Sequence, residues 1–277
     1  MSPESAPPDS AFLERYGPWA LVAGASEGIG ASFAHRIAAA GVDLVLVARR
    51  PEPLEETAEA IRSSHGVSVR TVAADLTGDD LLERLDAATR DIEVGLLVYN
   101  AGAVHGATRF HEAGLEKPLA LVRLNCVGPV VLCHHFGGRM LERGHGGIIL
   151  LSSLSAVSGA ARTVTYSATK AFDQVFAEGL WAELSPHGVD VLALIAGATR
   201  TPSMARSGAL IGGETFPGMD PDDVAREGLE HLAEGPVWVA GDANRAGWEA
   251  MRGLPRTELV AAMSAGARAI YGLSEDS

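Results

Sequence analysis

Seven short apolar runs punctuate the chain, with helix-compatible stretches between them. The runs are WALVAGA (19–25), DLVLVA (43–48), VSVRTVAAD (67–75), VGLLVYNAG (94–102), GGIILLSS (146–153), VDVLALIAG (189–197) and PVWVAG (236–241). They are nearly continuous in apolar residues rather than alternating with polar ones. A strand of that kind is buried on both faces, which calls for a parallel sheet with helices above and below it. The segments between the runs supply those helices. IGASFAHRIAAAG follows the first run, and PEPLEETAEAIRSS carries Pro51 near its first turn. DDLLERLDAATRDI is amphipathic with an acidic start, and YSATKAFDQVFAEGLWAEL is stopped by Pro186 and Gly188. The pattern predicts an α/β fold, a doubly wound parallel sheet of about seven strands with helices on both faces. No composition shift or internal repeat divides the 277 residues, so one domain over 1–277 is expected.

Bulk properties narrow the function. A net charge of −13 repels nucleic acid phosphates and an anionic membrane surface, so neither is expected as a partner. No stretch reads as long enough to span a bilayer. MSPESAPPDSAF has neither a basic nor an apolar leader region, and its prolines suggest a loose lead-in over residues 1–15. The cytoplasm is the default compartment. Cys126 and Cys133, seven residues apart in one helix, fit no disulfide framework and no metal-ligand spacing, and read as small buried hydrophobes. The nine histidines show no spacing of the H-E-x-x-H kind, so no metal is expected.

The first run passes into Gly24-Ala25-Ser26-Glu27-Gly28-Ile29-Gly30 and then a helix. Glycines let the backbone turn sharply and approach a diphosphate, and the helix aims its free N–H groups at that anion. A tight turn without a ligand is the competing reading. Strand, turn and helix arrive here in the order that a dinucleotide site requires. The second run ends at Arg49 and Arg50, with no acid at its tip to grip a ribose 2′-hydroxyl. A guanidinium there suits a 2′-phosphate, which favours NADP(H) over NAD(H), with Arg49 the better placed of the two. Solvated loop arginines are the alternative.

Tyr166 and Lys170 stand one helical turn apart at the start of a helix that follows a strand. With four tyrosines and two lysines in the chain, about 0.03 accidental Y-x-x-x-K matches are expected. A lysine ammonium near a tyrosine favours the phenolate, and such a tyrosine exchanges a proton with a carbonyl or alcohol oxygen.

AGASEGIG, Y-x-x-x-K and the order of the runs resemble the short-chain dehydrogenase/reductase family, over roughly residues 18–240. The resemblance implies a Rossmann-like fold, a nicotinamide cofactor and a small-molecule carbonyl/alcohol substrate. Ser153, 13 residues before Tyr166, matches the family's serine-to-tyrosine spacing, with Ser152 and Ser155 as runners-up. Asn125 resembles the fourth catalytic residue, which in the family sits at a helix irregularity and holds a water, and Gly128 and Pro129 beside it fit a kink. Asp75 and Leu76 resemble the adenine-contacting pair. Asn100, Ala101 and Gly102 resemble the end of the family's NNAG, with Tyr99 in place of its first asparagine. IAGATRTP resembles PGxxxT with Ala196 for proline, placing Ala198 and Thr201 by the nicotinamide carboxamide. Ala23 stands where the family has threonine, so other contacts must brace the glycine turn.

The implied reaction is reduction of a lipophilic ketone or aldehyde. Tyr166 gives the proton, Lys170 holds the nicotinamide ribose and biases Tyr166, Ser153 orients the carbonyl, and Asn125 helps to resupply the proton. The same residues would serve an NAD(P)+-dependent alcohol or hydroxysteroid-type dehydrogenase in the oxidising direction. A nucleotide-sensing protein without turnover and a sugar-nucleotide epimerase are the further alternatives. Residues 198–220, with Met204, Leu210, Ile211, Phe216 and Met219 among glycines, read as a substrate lid. Residues 241–277 read as extra helix without an assigned role. Family members often assemble as homodimers or homotetramers, and VFAEGLWAEL offers an apolar face for that.

Overall fold

The computed structural model describes residues 10–102 and 106–274. Seven strands form one sheet: β1 (Trp19–Ala23), β2 (Asp43–Ala48), β3 (Val69–Ala73), β4 (Val94–Tyr99), β5 (Gly146–Ser153), β6 (Val189–Ala196) and β7 (Val237–Val239). Their order is β3-β2-β1-β4-β5-β6-β7, and every pairing is parallel. Strand order reverses between β1 and β4, and ligands of such sheets bind at that switch point, outside the carboxyl ends of the strands. Every residue of β4 and β6 is buried, as the continuous apolar runs require.

Ten helices surround the sheet among the described residues, counting α5 as one continuous helix. They are α1 (Ser10–Tyr16), α2 (Gly28–Ala39), α3 (Pro51–His65), α4 (Leu81–Thr89), α5 (Glu116–Arg143), α6 (Val164–Leu184), α7 (Pro202–Arg206), α8 (Pro221–Glu230), α9 (Asp242–Arg252) and α10 (Arg256–Ile270). The cores on the two faces of the sheet centre on Phe33, Ile37 and Leu194, and on Phe136, Met140 and Ile148.

Two expectations need correction. The lead-in over 1–15 is not loose throughout. Residues 1–9 lie outside the described residues, but 10–16 form α1, which docks on the sheet. Tyr16 is buried and donates to Asp190 of β6 at 2.7 Å, and Arg15 donates to the same carboxylate at 2.8 Å. The prolines that suggested disorder all precede α1.

The expectation of no bilayer-length apolar stretch also fails. α5 runs for 28 residues with a mean hydropathy of 1.4 over its best window, enough to cross a bilayer by length and composition alone. Gly128-Pro129 and Gly137-Gly138 look like breaks in the sequence. The helix passes through both regions by widening into π turns at Arg123–Val127 and Cys133–Gly137. α5 lies along the sheet and α6, burying Leu132, Phe136 and Met140 as a helix flanking a sheet does.

Candidate active site

A cavity of about 610 Å³ opens at the switch point. Gly24, Ser26, Glu27, Gly28 and Ile29 line it after β1, and Asn100, Ala101 and Gly102 after β4. The glycine turn shows why those residues are needed. Gly24 and Gly28 take φ of +85° and +58°, where side chains are disfavoured. A Cβ on Gly30 would overlap the Gly24 carbonyl. With Ala23 in place of threonine, the turn is braced by Asn100, whose Nδ2 donates to Gly24 O at 2.8 Å, and by Val47 O, which accepts from Gly24 N at 2.8 Å. No side chain caps the N-terminus of α2, which leaves its first amides for an anion. The cradle therefore fits the diphosphate of a nicotinamide dinucleotide.

Arg49 and Arg50 line the same cavity. Arg50 donates to Glu27 Oε2 at 2.8 Å, and Arg206 of α7 grips the same carboxylate, donating to Oε2 at 3.0 Å and to Oε1. Burial would raise the Glu27 carboxyl, but Arg206 and then Arg50 outweigh it and hold it below its usual value. Arg49 has no hydrogen-bond or ion-pair partner among the described residues. Leu76 lines the cavity, whereas the exposed Asp75 accepts from Thr77 N at 2.9 Å and Thr77 Oγ1 at 2.8 Å.

Ser153, Tyr166 and Lys170 line the same cavity. Ser153 ends β5, and its Oγ accepts from Ser155 N at 3.2 Å. Ser152 donates to Lys170 O at 2.6 Å, which commits that runner-up hydroxyl to bracing α6. Tyr166 lies in the first turn of α6. Lys170 is 5% exposed, and its Nζ donates to Leu151 O at 2.7 Å and Asp173 Oδ2 at 2.9 Å. Burial alone would lower the Lys170 ammonium, but Asp173, with Tyr166 next, outweighs it and holds the lysine charged.

Asn125 does not line the cavity. It is fully buried in the first π turn, where Nδ2 donates to Thr169 Oγ1 at 3.0 Å, and that hydroxyl donates to Tyr166 O at 2.9 Å. The turn also accounts for Tyr99. Gly128 N reaches back to Arg123 O, and Pro129 has no N–H, so Leu124 O loses its helical donor. Tyr99 donates to Leu124 O at 2.6 Å. A Cβ on Gly128 would overlap that hydroxyl. The tyrosine in the family's asparagine position therefore ties β4 to the π turn that holds Asn125.

Ala198 and Thr201 also line the cavity. Thr201 caps α7 by accepting from Met204 N at 3.2 Å. With Ala196 for proline, the loop is held by Met219 N donating to Ala198 O at 2.8 Å and Arg200 N to Met219 O at 3.0 Å.

The C-terminal segment supplies what sequence reasoning missed. α10 roofs the cavity with Met263, Ala267 and Ile270, followed by Tyr271, and α9 adds Met251. Leu210 N donates to Ile270 O at 2.7 Å, joining the loop after α7 to this roof. Burial pushes the Tyr271 hydroxyl up, and Ser207 Oγ stands 3.4 Å from it. α9 is anchored through Glu227, which accepts from Arg245 at 2.7 Å and Trp238 at 2.9 Å. The one sequence signal was an apolar helix beyond the last strand with no other partner.

The profile of the short chain dehydrogenase family matches residues 18–209. This chain belongs to that family. It is 34% identical to the 7beta-hydroxysteroid dehydrogenase of Clostridium sardiniense over 250 residues, 90% of this chain and 95% of that one. A solved 7beta-hydroxysteroid dehydrogenase structure superposes with a TM-score of 0.84 at 30% identity, covering 91% of this chain and 98% of the other. A short-chain dehydrogenase from Sphingobium yanoikuyae, solved with NADPH, gives 0.76 at 33% identity, covering 86% and 93%. The protein is a short-chain oxidoreductase that moves a hydride between a nicotinamide cofactor and an alcohol/ketone pair.

Proposed function

We propose that this enzyme reduces a bulky, lipophilic ketone with NADPH, Tyr166 giving the proton. The observation that carries the reading is the single cavity running from Arg49 past Tyr166 to the apolar roof of Met251, Met263 and Ile270. About 610 Å³ is room for a dinucleotide's reactive end and a polycyclic substrate together, and the relatives named for hydroxysteroids point to the same size class.

The case for NADP(H) is electrostatic. Arg49, Arg50 and Arg206 bring three positive charges to the cavity mouth against one from Glu27, a net excess of two for a 2′-phosphate. Arg49, unpaired, is the phosphate's main ligand in this reading, and the NADPH-bound relative supports it. The bound nicotinamide supplies the hydride. Gly24, Ser26, Glu27, Gly28, Ile29 and Gly30 form the diphosphate cradle, Leu76 and Asp75 flank the adenine, and Asn100, Ala101 and Gly102 form the floor. Ala198 and Thr201 face the carboxamide.

Ser153 orients the carbonyl oxygen and steadies the charge that develops on it. Tyr166 protonates that oxygen as the carbon is reduced, and the charged Lys170 stabilises the phenolate left behind. Asn125 braces this turn through Thr169. Residues 198–220 act as the lid, and 241–274 close the roof behind them.

The enzyme works as a homodimer or homotetramer in the cytoplasm. Val127 and Val130 on α5 and Val175 and Trp181 on α6 are exposed apolar side chains on neighbouring helices, the kind of patch that association covers. Cys126 and Cys133 are free thiols, in keeping with a reducing compartment.

Tyr166→Phe tests the reading. NADPH oxidation by a panel of polycyclic ketones is expected to fall by about 10³-fold while NADPH affinity, followed by fluorescence, stays. Full activity in this variant would remove Tyr166 from the chemistry.

A further inference from the structure

Asp173 has no part in the reaction described above, yet it is the least exposed charged residue among those described, at 3%. It follows Lys170 by three residues on α6, and its Oδ2 holds the lysine Nζ at 2.9 Å. Its Oδ1 is buried with no hydrogen-bond partner among the described residues. Burying a carboxylate is costly even when it is paired, and an orphaned oxygen adds to that cost. An apolar residue could fill the site without either penalty, so packing alone does not account for Asp173.

The surroundings define what the carboxylate acts on. Cys126 and Cys133 of α5, Tyr99 of β4, and Tyr166 and Lys170 of α6 share this electrostatic neighbourhood. Asp75, two residues past β3, acts on Tyr99, and Tyr271 beyond α10 interacts with Tyr166. Lys170 is the cation among these groups. An isolated ammonium would draw Tyr166 toward its phenolate. An ammonium joined to a carboxylate acts more like a dipole, whose field falls off faster, so less of it reaches the phenol.

We infer that Asp173 is a positioning residue that holds Lys170 and shares its charge, so that less of that charge reaches Tyr166 and the site favours giving a proton to a carbonyl over taking one from an alcohol. The overall equilibrium is unchanged. What shifts is the pH range in which each direction finds Tyr166 in the form it needs. The inference rests on Tyr166 being the proton-transfer residue.

The test follows phenolate absorbance during an alkaline titration of the whole chain, which needs no substrate. The chain has four tyrosines, and burial pushes the ionisation of Tyr16 and Tyr99 far into the alkaline range. Subtracting the Tyr166→Phe titration isolates Tyr166. In D173N its step is expected to move down by about one pH unit. The acid-side limb of oxidation, where the rate rises as Tyr166 gives up its proton, measured with NADP+ and trans-1-decalol, should move with it. D173E, which keeps the charge, should restore the wild-type step. An unmoved step in folded D173N, or an equal shift in D173E, overturns the inference. If D173N does not fold, D173S takes its place in the same titration: a Tyr166 step moved down supports the inference, and an unmoved step overturns it. Full activity of Tyr166→Phe would instead defeat the proposed function, an outcome separate from these.

Discussion

The floor and the roof of the cavity are built on different principles. The floor consists of strand ends and the turns that leave them, where Gly24, Gly28, Gly30 and Asn100 hold one backbone path through positive φ, close approach and a hydrogen bond. The roof consists of α7 and α10, where Met204, Met263 and Ile270 present apolar surface that many side chains could supply. A cofactor common to the whole family needs the first kind of surface. A substrate particular to each enzyme needs only the second.

If that division holds, a single methyl group in the floor should matter more than several in the roof. Gly30→Ala places a Cβ into the Gly24 carbonyl and near Asn100 Nδ2, neither of which is the free end of a flexible chain. Opening the turn costs about 2 kcal/mol, so cofactor affinity should fall about 30-fold by fluorescence titration. Unaltered affinity would mean that the cradle is looser than its contacts imply.

The same division decides what could be read in the chain. The sheet type, the glycine turn and the meeting of Ser153, Tyr166 and Lys170 at one cavity were legible because each depends on a residue type at a fixed spacing. The π turn at Asn125 was foreseen as a kink from Gly128 and Pro129, but not as a widening of one continuous 28-residue helix. Its explanation lies in Tyr99, 25 residues upstream, whose hydroxyl replaces the donor that Pro129 lacks. No local pattern reveals a partner at that distance. α1 was hidden for the same reason, since Tyr16 is fixed by Asp190, 174 residues away. The roof was illegible for another reason. Met263 and Ile270 read as ordinary helix apolars, and only the path of the chain back over the cavity gives them a role.

Within the floor, the two arginines sharpen the comparison. Arg50 is already engaged by Glu27 at 2.8 Å, while Arg49 is unpaired. Arg49→Ala should therefore weaken NADPH binding about 10-fold, the loss of one charged hydrogen-bonding partner, and leave NADH binding unchanged. Arg50→Ala should cost less, because Arg206 still holds Glu27. Equal losses for the two cofactors would mean that Arg49 meets something other than a 2′-phosphate.

The smallest effect belongs to the roof. Ile270 contributes its side chain to the cavity, while its carbonyl, not its side chain, ties down Leu210 at 2.7 Å. Ile270→Ala therefore removes substrate-facing surface and keeps the link to the lid. A hydrophobic pocket distinguishes one methylene by about 1–3 kcal/mol at most, and a partly exposed wall by less. The KM for a polycyclic ketone should rise about 3-fold, with NADPH affinity unaltered and kcat for a small ketone such as cyclohexanone unchanged. A small ketone never reaches this wall, so it reports on Ser153 and Tyr166 alone. If Ile270→Ala lowered turnover of both ketones equally, the roof would be positioning the catalytic turn rather than the substrate, and the separation of floor from roof would fail at α10.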